Sequence, residues 1–257
     1  DYWFDPAASA ADSLAEAWRR LAIQDHVRFA RRALRELPPD SLVLDVGCGG
    51  GLFLRELHLP EHRAFGLDFS LDAASVAWSS NGVPAACGAL TRAPFRPGSF
   101  GLITMFHVLE HLYDPTAYLD AARELLIPEG RLVIQVPNAG CWQFLLFGAA
   151  WNGLDVPRHL IDFRESDLEV LLDAAGFEVV RRKHFSLRDN PAGLASTLAP
   201  GLDPMGRRVR KADSSPRARL LKDALYFLLV LASVPFTVLE AACRAGSTVM
   251  VEARRKP

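Results

Sequence analysis

The stretch SLVLDVGCGGG, residues 41–51, decides the fold. Its first six residues form a short apolar run suited to a strand buried on both faces of a parallel sheet. The run then breaks into glycines at 47, 49, 50 and 51. A helical stretch follows to about His58. Strand, glycine turn and helix in that order build a βα unit. Working outward, the alternation repeats. Arg63–Leu67, Val83–Cys87, Phe100–Phe106, Arg131–Val136 and Phe177–His184 read as strands. Leu71–Ser80, Pro115–Leu126 and Ser166–Ala175 read as helices between them. Alternation of this kind implies parallel strands with right-handed crossovers and helices on both faces. Upstream, residues 7–37 carry apolar residues at mostly helical spacing, and Pro38-Pro39 ends that helix. Ser166 with Glu169 predicts a capping box, and Gly176 a helix stop.

After His184 the rhythm changes. Residues 186–216 are rich in Pro, Gly, Ser and Arg and read as irregular. Residues 224–239 are strongly apolar, and Ser247–Ala253 reads as a last strand. A strand returning after so long an excursion indicates an insertion between two paired strands.

The chain has 257 residues, half of them apolar and 23% charged, an ordinary globular composition. Its four cysteines lie far apart with no C-x-x-C pair, which argues against a cysteine zinc site and for a reducing compartment. Residues 1–40 lack the basic-then-apolar layout of a secretory signal, so the expectation is a cytoplasmic protein. A net charge of −1 gives no electrostatic reason to bind nucleic acid. The charge is segregated, however. Residues 201–257 hold 11 Lys and Arg against 5 Asp and Glu, a net of +6, which leaves −7 on the rest.

The glycine turn opens where ligands bind in open α/β sheets, at the carboxyl ends of strands. Asp68 ends the next strand, where a carboxylate can accept hydrogen bonds from both hydroxyls of a ribose. The glycine spacing is G-x-G-x-G, not the dinucleotide G-x-G-x-x-G, because Leu52 stands where the third glycine would fall. Asp45, two residues before the first glycine, suits a cationic ligand better than a pyrophosphate. A nucleoside carrying ammonium and sulfonium groups fits both carboxylates.

Five segments together resemble the class I S-adenosylmethionine-dependent methyltransferases: VLDVGCGGG (43–51), GLDFS (66–70), PFRPGSFGLITMFHVLEHLYDP (94–115), PEGRLVIQVPN (128–138) and AGFEVV (175–180). Within that family the similarity is to the branch of the ubiquinone-biosynthesis O-methyltransferase. The resemblance covers about residues 40–185 and the last strand. It implies a Rossmann-like α/β fold: a seven-stranded, mostly parallel sheet in the order 3-2-1-4-5-7-6, with a helical insertion before the last strand. The implied organisation is a helical lid over residues 1–39, with Tyr2, Trp3 and Phe4 at its start. The cofactor domain would occupy 40–185 and 247–257, and the insertion 186–246.

Carried over residue by residue, Asp45, Gly47, Cys48, Gly49 and Gly51 would surround the methionine part of the cofactor, with Phe106 beside it. Asp68 would hold the ribose, Phe69 would pack on the adenine, and Leu90 would lie at the adenine edge. The chain departs from the family at Gly88-Ala89-Leu90, where an acid is common, and at Gly101, the usual site of an Asp.

The motif His107-Val108-Leu109-Glu110-His111 follows the fourth strand. As a helix it would place all three polar side chains on one face. His107, His111 and His159 are the candidate general bases for deprotonating an oxygen nucleophile. His107, Glu110 and His111 are also the candidate ligands of a divalent cation, since the family branch has E-x-x-E-H there. H-x-x-E-H is in addition the inverted zinc-peptidase motif, but here it abuts a strand inside a nucleoside-binding pattern. A non-catalytic scaffold of the same fold is a further reading.

The acceptor would be a small, lipophilic molecule met by the aromatic run at 142–151. Trp142 and Arg158 are its candidate contacts, although Arg158 equally suits a structural ion pair. Basic residues from Arg207 to Lys222 precede the apolar stretch. Its sixteen residues would span about 24 Å as a helix, short of a hydrocarbon core of roughly 30 Å. Pro235 is expected to interrupt it. Residues 207–239 therefore predict peripheral contact with the inner face of a membrane, or else packing on the protein or in a homodimer.

Overall fold

The structure, a computed structural model, describes residues 10–60, 63–210 and 215–257. Its centre is a seven-stranded sheet in the order β3-β2-β1-β4-β5-β7-β6. The strands are β1 (Leu42–Val46), β2 (Ala64–Asp68), β3 (Ala85–Cys87), β4 (Phe100–Phe106), β5 (Leu126–Pro137), β6 (Phe177–Lys183) and β7 (Thr248–Arg255). The pairs β1–β2, β1–β4, β2–β3 and β4–β5 are parallel, and β6–β7 is antiparallel. This is the expected Rossmann-like architecture. The insertion does enter between two paired strands.

The chain forms two compact units. The first holds residues 1–136, 166–183 and 250–257. Helices α1 (Ala10–Leu34), α2 (Leu52–Leu57), α3 (Leu71–Asn81), α4 (Pro115–Leu125) and α6 (Glu165–Ala174) accompany its strands. Central strands are apolar because both faces are covered. Val43, Leu44, Leu102, Ile103, Leu132, Val133 and Ile134 are fully buried. Truncating any of these Leu or Ile side chains to Ala would cost about 2–5 kcal/mol through lost burial and the cavity left behind.

Helix α1 joins this core through Ile23, Val27, Phe29, Ala30 and Ala33. The apolar stripe of its C-terminal half packs in the core with Val43, Phe53 and Leu102. The lid expectation at Tyr2, Trp3 and Phe4 lies outside the described residues. Arg181 on β6 ties the edge together. It stacks 3.6 Å over the Phe29 ring and donates to Glu252 of β7 at 2.6 and 2.8 Å.

The second unit holds residues 137–165 and 184–249. It contains α5 (Trp142–Phe147), α7 (Asn190–Leu198), α8 (Pro204–Val209) and α9 (Pro216–Ala242). It is larger than the expected 186–246, because 137–165 packs with that segment. Gln143 binds Glu240 through both backbone and side chain, and the Asn138 amide donates to the Gly246 carbonyl at 2.9 Å.

Four local expectations are corrected. Residues 186–216 contain two helices, α7 and α8. Asn190-Pro191 starts α7, with proline at a position where no N–H is needed, and Leu194 and Ala195 are buried. The capping box at Ser166 does not form. Helix α6 already begins at Glu165, the Ser166 hydroxyl points to Asp167, and Glu169 pairs with Arg182 instead. Pro235 does not interrupt α9, which runs through it. Beside it the Thr237 hydroxyl bonds the Ser233 and Val234 carbonyls. Finally, His107–His111 is not an α-helix but a left-handed residue followed by a single 3-10 turn over Leu109–His111.

Candidate active site

The glycine turn wraps the end of β2. Gly47 and Cys48 both donate their N–H to the Leu67 carbonyl, at 2.7 and 3.2 Å. Gly47 has φ +74°, and a Cβ there would come within 2.7 Å of Val108. Gly49 is also left-handed, at φ +52°. Gly51 serves packing: the space its Cβ would need is filled by Ala77 and Val83, 3.1 Å away. Cys48 turns its thiol toward Gly66, where an added Cβ would meet sulfur at 2.5 Å. Its side chain is therefore a wedge between turn and β2, and only its backbone faces outward. Burial raises the thiol far above its usual range.

Two carboxylates stand at adjacent strand ends. Asp68 is held by two backbone donors: Gly49 N–H to one oxygen and Ser70 N–H to the other, each 2.8 Å. A carboxylate oxygen has two lone pairs, so each retains one acceptor position. Asp45 is only 3% exposed and accepts the Thr104 hydroxyl at 2.6 Å. Burial is the main cause that pushes its carboxyl up to about 7, and the charge of Asp68 adds to it. Thr104 sits opposite Asp45 in the β1–β4 register.

Phe69 follows Asp68 and is 66% exposed, with its ring 6.5 Å from that of Tyr118. Leu90 is buried, so its side chain belongs to the core and only its backbone is available to a ligand. Phe106 lies half-buried, edge-on to His26 at 4.8 Å and to Phe53 at 4.9 Å. Gly101 departs from the family pattern for a steric reason. A Cβ there would come within 2.5 Å of Ser41 Cβ.

His107 takes φ +57°, which is costly for a residue with a Cβ. The strain turns its ring between two partners. Its Nδ1 lies 3.0 Å from Glu110 Oε1, and its Nε2 lies 2.7 Å from the Gln135 side-chain nitrogen. That amide donates to Nε2, so the proton sits on Nδ1 and is donated to the carboxylate. Glu110 is 1% exposed, and its Oε2 is buried without a hydrogen-bond partner among the described residues. Of the predicted cation set of His107, Glu110 and His111, His107 does not fit, because protein groups engage both of its ring nitrogens. Glu110 and His111 do bring ligand atoms within 4.8 Å of each other.

The second unit carries the remaining candidates. His159 has Nδ1 2.7 Å from the Gly153 carbonyl oxygen, which fixes the proton on Nδ1, and its Nε2, the basic nitrogen, lies 3.9 Å from Asp155 Oδ2. Arg158 pairs with Asp155, the structural alternative foreseen for it. Trp142 starts α5, with its ring 6.3 Å from that of Phe236. Phe147 and Leu146 line an apolar cavity of about 310 Å³.

Sequence reasoning missed Thr104 and Gln135. Their only signal is strand register, which places Asp45 beside Thr104 and Phe106 beside Gln135.

Residues 14–182 match the protein family described as a methyltransferase domain. The chain belongs to that family. It is a class I S-adenosylmethionine-dependent methyltransferase. Over 173 residues it is 30% identical to the ubiquinone biosynthesis O-methyltransferase of Cronobacter sakazakii, covering 63% of this chain and 70% of that one. The corresponding protein of Methylococcus capsulatus is 30% identical over 194 residues, 68% of this chain and 78% of the other. Among solved structures, an S-adenosylmethionine-dependent methyltransferase of Archaeoglobus fulgidus superposes with a TM-score of 0.58. It is 16% identical and covers 96% of this chain and all of its own. The methyltransferase's own geometry fits the cofactor. Asp68 retains two acceptor positions, the number a pair of ribose hydroxyls needs, and Asp45 is a buried carboxyl that gains its negative charge as pH rises through about 7.

Proposed function

We propose that the enzyme methylates a hydroxyl oxygen of a small, lipophilic acceptor. The observation that carries this reading is the 30% identity to ubiquinone biosynthesis O-methyltransferases across most of the cofactor domain. S-adenosylmethionine supplies an activated methyl group whose sulfonium is a good leaving group. The chain's own residues bind, orient and handle the proton. Asp68 takes the ribose, the exposed Phe69 ring packs on the adenine, and the backbone of 47–49 with Asp45 receives the methionine end. Most of the catalytic gain then comes from alignment of the reactants.

A hydroxyl must also lose its proton. His107 is bound at both ring nitrogens and serves as a positioning residue for the turn after β4. His111 and His159 are the bases of this proposal. The tautomer of His159, fixed by Gly153, suits it to accept a proton at Nε2. A cation has no step in this mechanism. Trp142 and the aromatic residues after it supply the acceptor's apolar surroundings. The same reading includes peripheral membrane contact through residues 207–239.

Incubation with methyl-labelled cofactor and a panel of phenols, amines and activated carbon acids tests the reaction class. Label in an ether product supports it, and label only in N- or C-methyl products refutes it. Substitution His159→Asn is expected to lower kcat about 10²–10⁴-fold and to remove the acid limb of the pH profile, with cofactor affinity unchanged. An unaltered pH profile would take His159 out of the mechanism.

A further inference from the structure

Helix α9 inverts the amphipathic pattern of a soluble protein. Its buried residues are Val230, Ser233, Thr237 and Glu240, spaced three or four apart along one face. Three of these four are polar. The hydroxyl of Ser233 donates to Leu229 O at 2.8 Å and that of Thr237 to Ser233 O at 3.1 Å. Glu240 accepts from the Gln143 backbone and side chain at 3.0 and 2.8 Å. The exposed face carries Leu225, Phe227, Leu228, Leu231, Val238 and Leu239. A helix facing water shows the reverse arrangement. By length and composition α9 could cross a membrane. Its inward face argues otherwise, because a spanning helix is apolar all round, whereas this one has a polar, hydrogen-bonded side.

Two further features point to the occupant of the exposed face. Arg217 and Arg219 are exposed at one end of the helix, and Arg244 just beyond the other. The carboxylates between them are spoken for: Asp223 pairs with Arg207 and lies 3.9 Å from Arg219, and Glu240 is buried. The exposed charge flanking the apolar face is thus positive. In addition, the cavity of about 310 Å³ is lined by Leu146 and Phe147 of α5, Leu194 and Leu198 of α7, and Leu229 and Phe236 of α9. Leu146 and Leu198 are themselves exposed, so the lining continues onto the surface.

Resting on the membrane contact of the proposed function and deepening it, we propose that the second unit docks on an anionic phospholipid bilayer. Helix α9 lies in the plane of the headgroup–acyl boundary, and the cavity admits one acyl chain. Arginines at both ends meet anionic headgroups, and the outward leucines enter the acyl region. The surface gains a partner of matching charge and polarity without any rearrangement of α9's bonded inner face.

The test is flotation of the full chain with vesicles of phosphatidylcholine alone and of equal phosphatidylcholine and phosphatidylglycerol. The expected result is binding to the anionic vesicles, weakened by salt, with little binding to the neutral ones. The double variant Leu228→Glu/Leu231→Glu should lower anionic-vesicle partition at least about tenfold. Both positions are exposed, and an unchanged circular dichroism spectrum and cofactor affinity would show that the fold is kept. Failure of the unaltered chain to float with anionic vesicles overturns the proposal. So does a dimer in sedimentation that the double variant dissolves while vesicle partition stays unchanged, which would assign the face to a second copy. Vesicle binding is read without methyl transfer, so it stands or falls separately from the acceptor chemistry.

Discussion

Asp45 and Asp68 show how differently two carboxylates of one site can be held. Asp68 is fixed by two backbone N–H groups and faces outward with acceptor capacity to spare. Replacing it with Ala should weaken S-adenosylmethionine binding by about 10²–10⁴-fold, since two hydrogen bonds to a charged acceptor contribute about 1.5–3 kcal/mol each. Calorimetry checks this, and unchanged affinity would remove the ribose assignment. Asp45 is buried, and its carboxyl is raised from 3.8 to about 7. The folded chain therefore binds this proton more tightly than the unfolded chain. Its contribution to stability is complete below pH 3.8, lost as pH rises to about 7, and flat above. The loss is on the order of a few kcal/mol. Cofactor binding runs the opposite way, because the ionised form attracts a cation. Affinity is expected to rise between pH 6 and 8, about a unit either side of that value, and Asp45→Asn should abolish both slopes. Denaturation and titration at several pH values test this directly. Both acids were legible in the sequence because they lie beside a glycine turn. Thr104 and Gln135 were not, because they reach Asp45 and His107 across 59 and 28 residues of chain through strand register.

At the scale of elements, strands were easier to read than helices of the insertion. The central strands are apolar runs, and β4 begins and ends where the pattern places it. Helices α7 and α8 hid in a stretch whose Pro, Gly and Ser content suggests loop. Their stability comes from contacts that local composition does not encode, such as Tyr226 bonding Ser196 at 2.9 Å. Arg207 reads as a lipid-facing cation, yet it is buried and paired with Asp223. One buried acid supplies the hydrogen bonds between α9 and α5. Glu240 is raised above its usual carboxylate range, mainly by burial, and its two oxygens take both Gln143 donors. Glu240→Ala leaves those donors unsatisfied and should cost about 1–3 kcal/mol each, read as a lower midpoint in urea. Glu240→Gln keeps an acceptor oxygen and should cost less. A loss well under about 1 kcal/mol for Glu240→Ala would mean that these hydrogen bonds do not hold α9.

For the whole molecule, charge and hydropathy divide along the chain. Residues 1–200 carry −7 and residues 201–257 carry +6, so the basic share sits with the apolar helix. The family match at 14–182 ends before α7, α8 and α9. If the acceptor is lipophilic and the second unit docks on a bilayer, both reactants of the second step meet on a surface. The rate then depends on the acceptor's density in the membrane, not on its amount in the tube. Adding acceptor-free anionic lipid to vesicles of fixed acceptor content should lower the rate in inverse proportion to total lipid once all enzyme is bound. The KM for S-adenosylmethionine, which arrives from water, should not move. With Leu228→Glu/Leu231→Glu the dilution effect should vanish, because the enzyme no longer samples the surface. A rate that follows bulk acceptor concentration in both proteins would instead mean that the acceptor is taken from solution, and that the apolar face has no part in turnover.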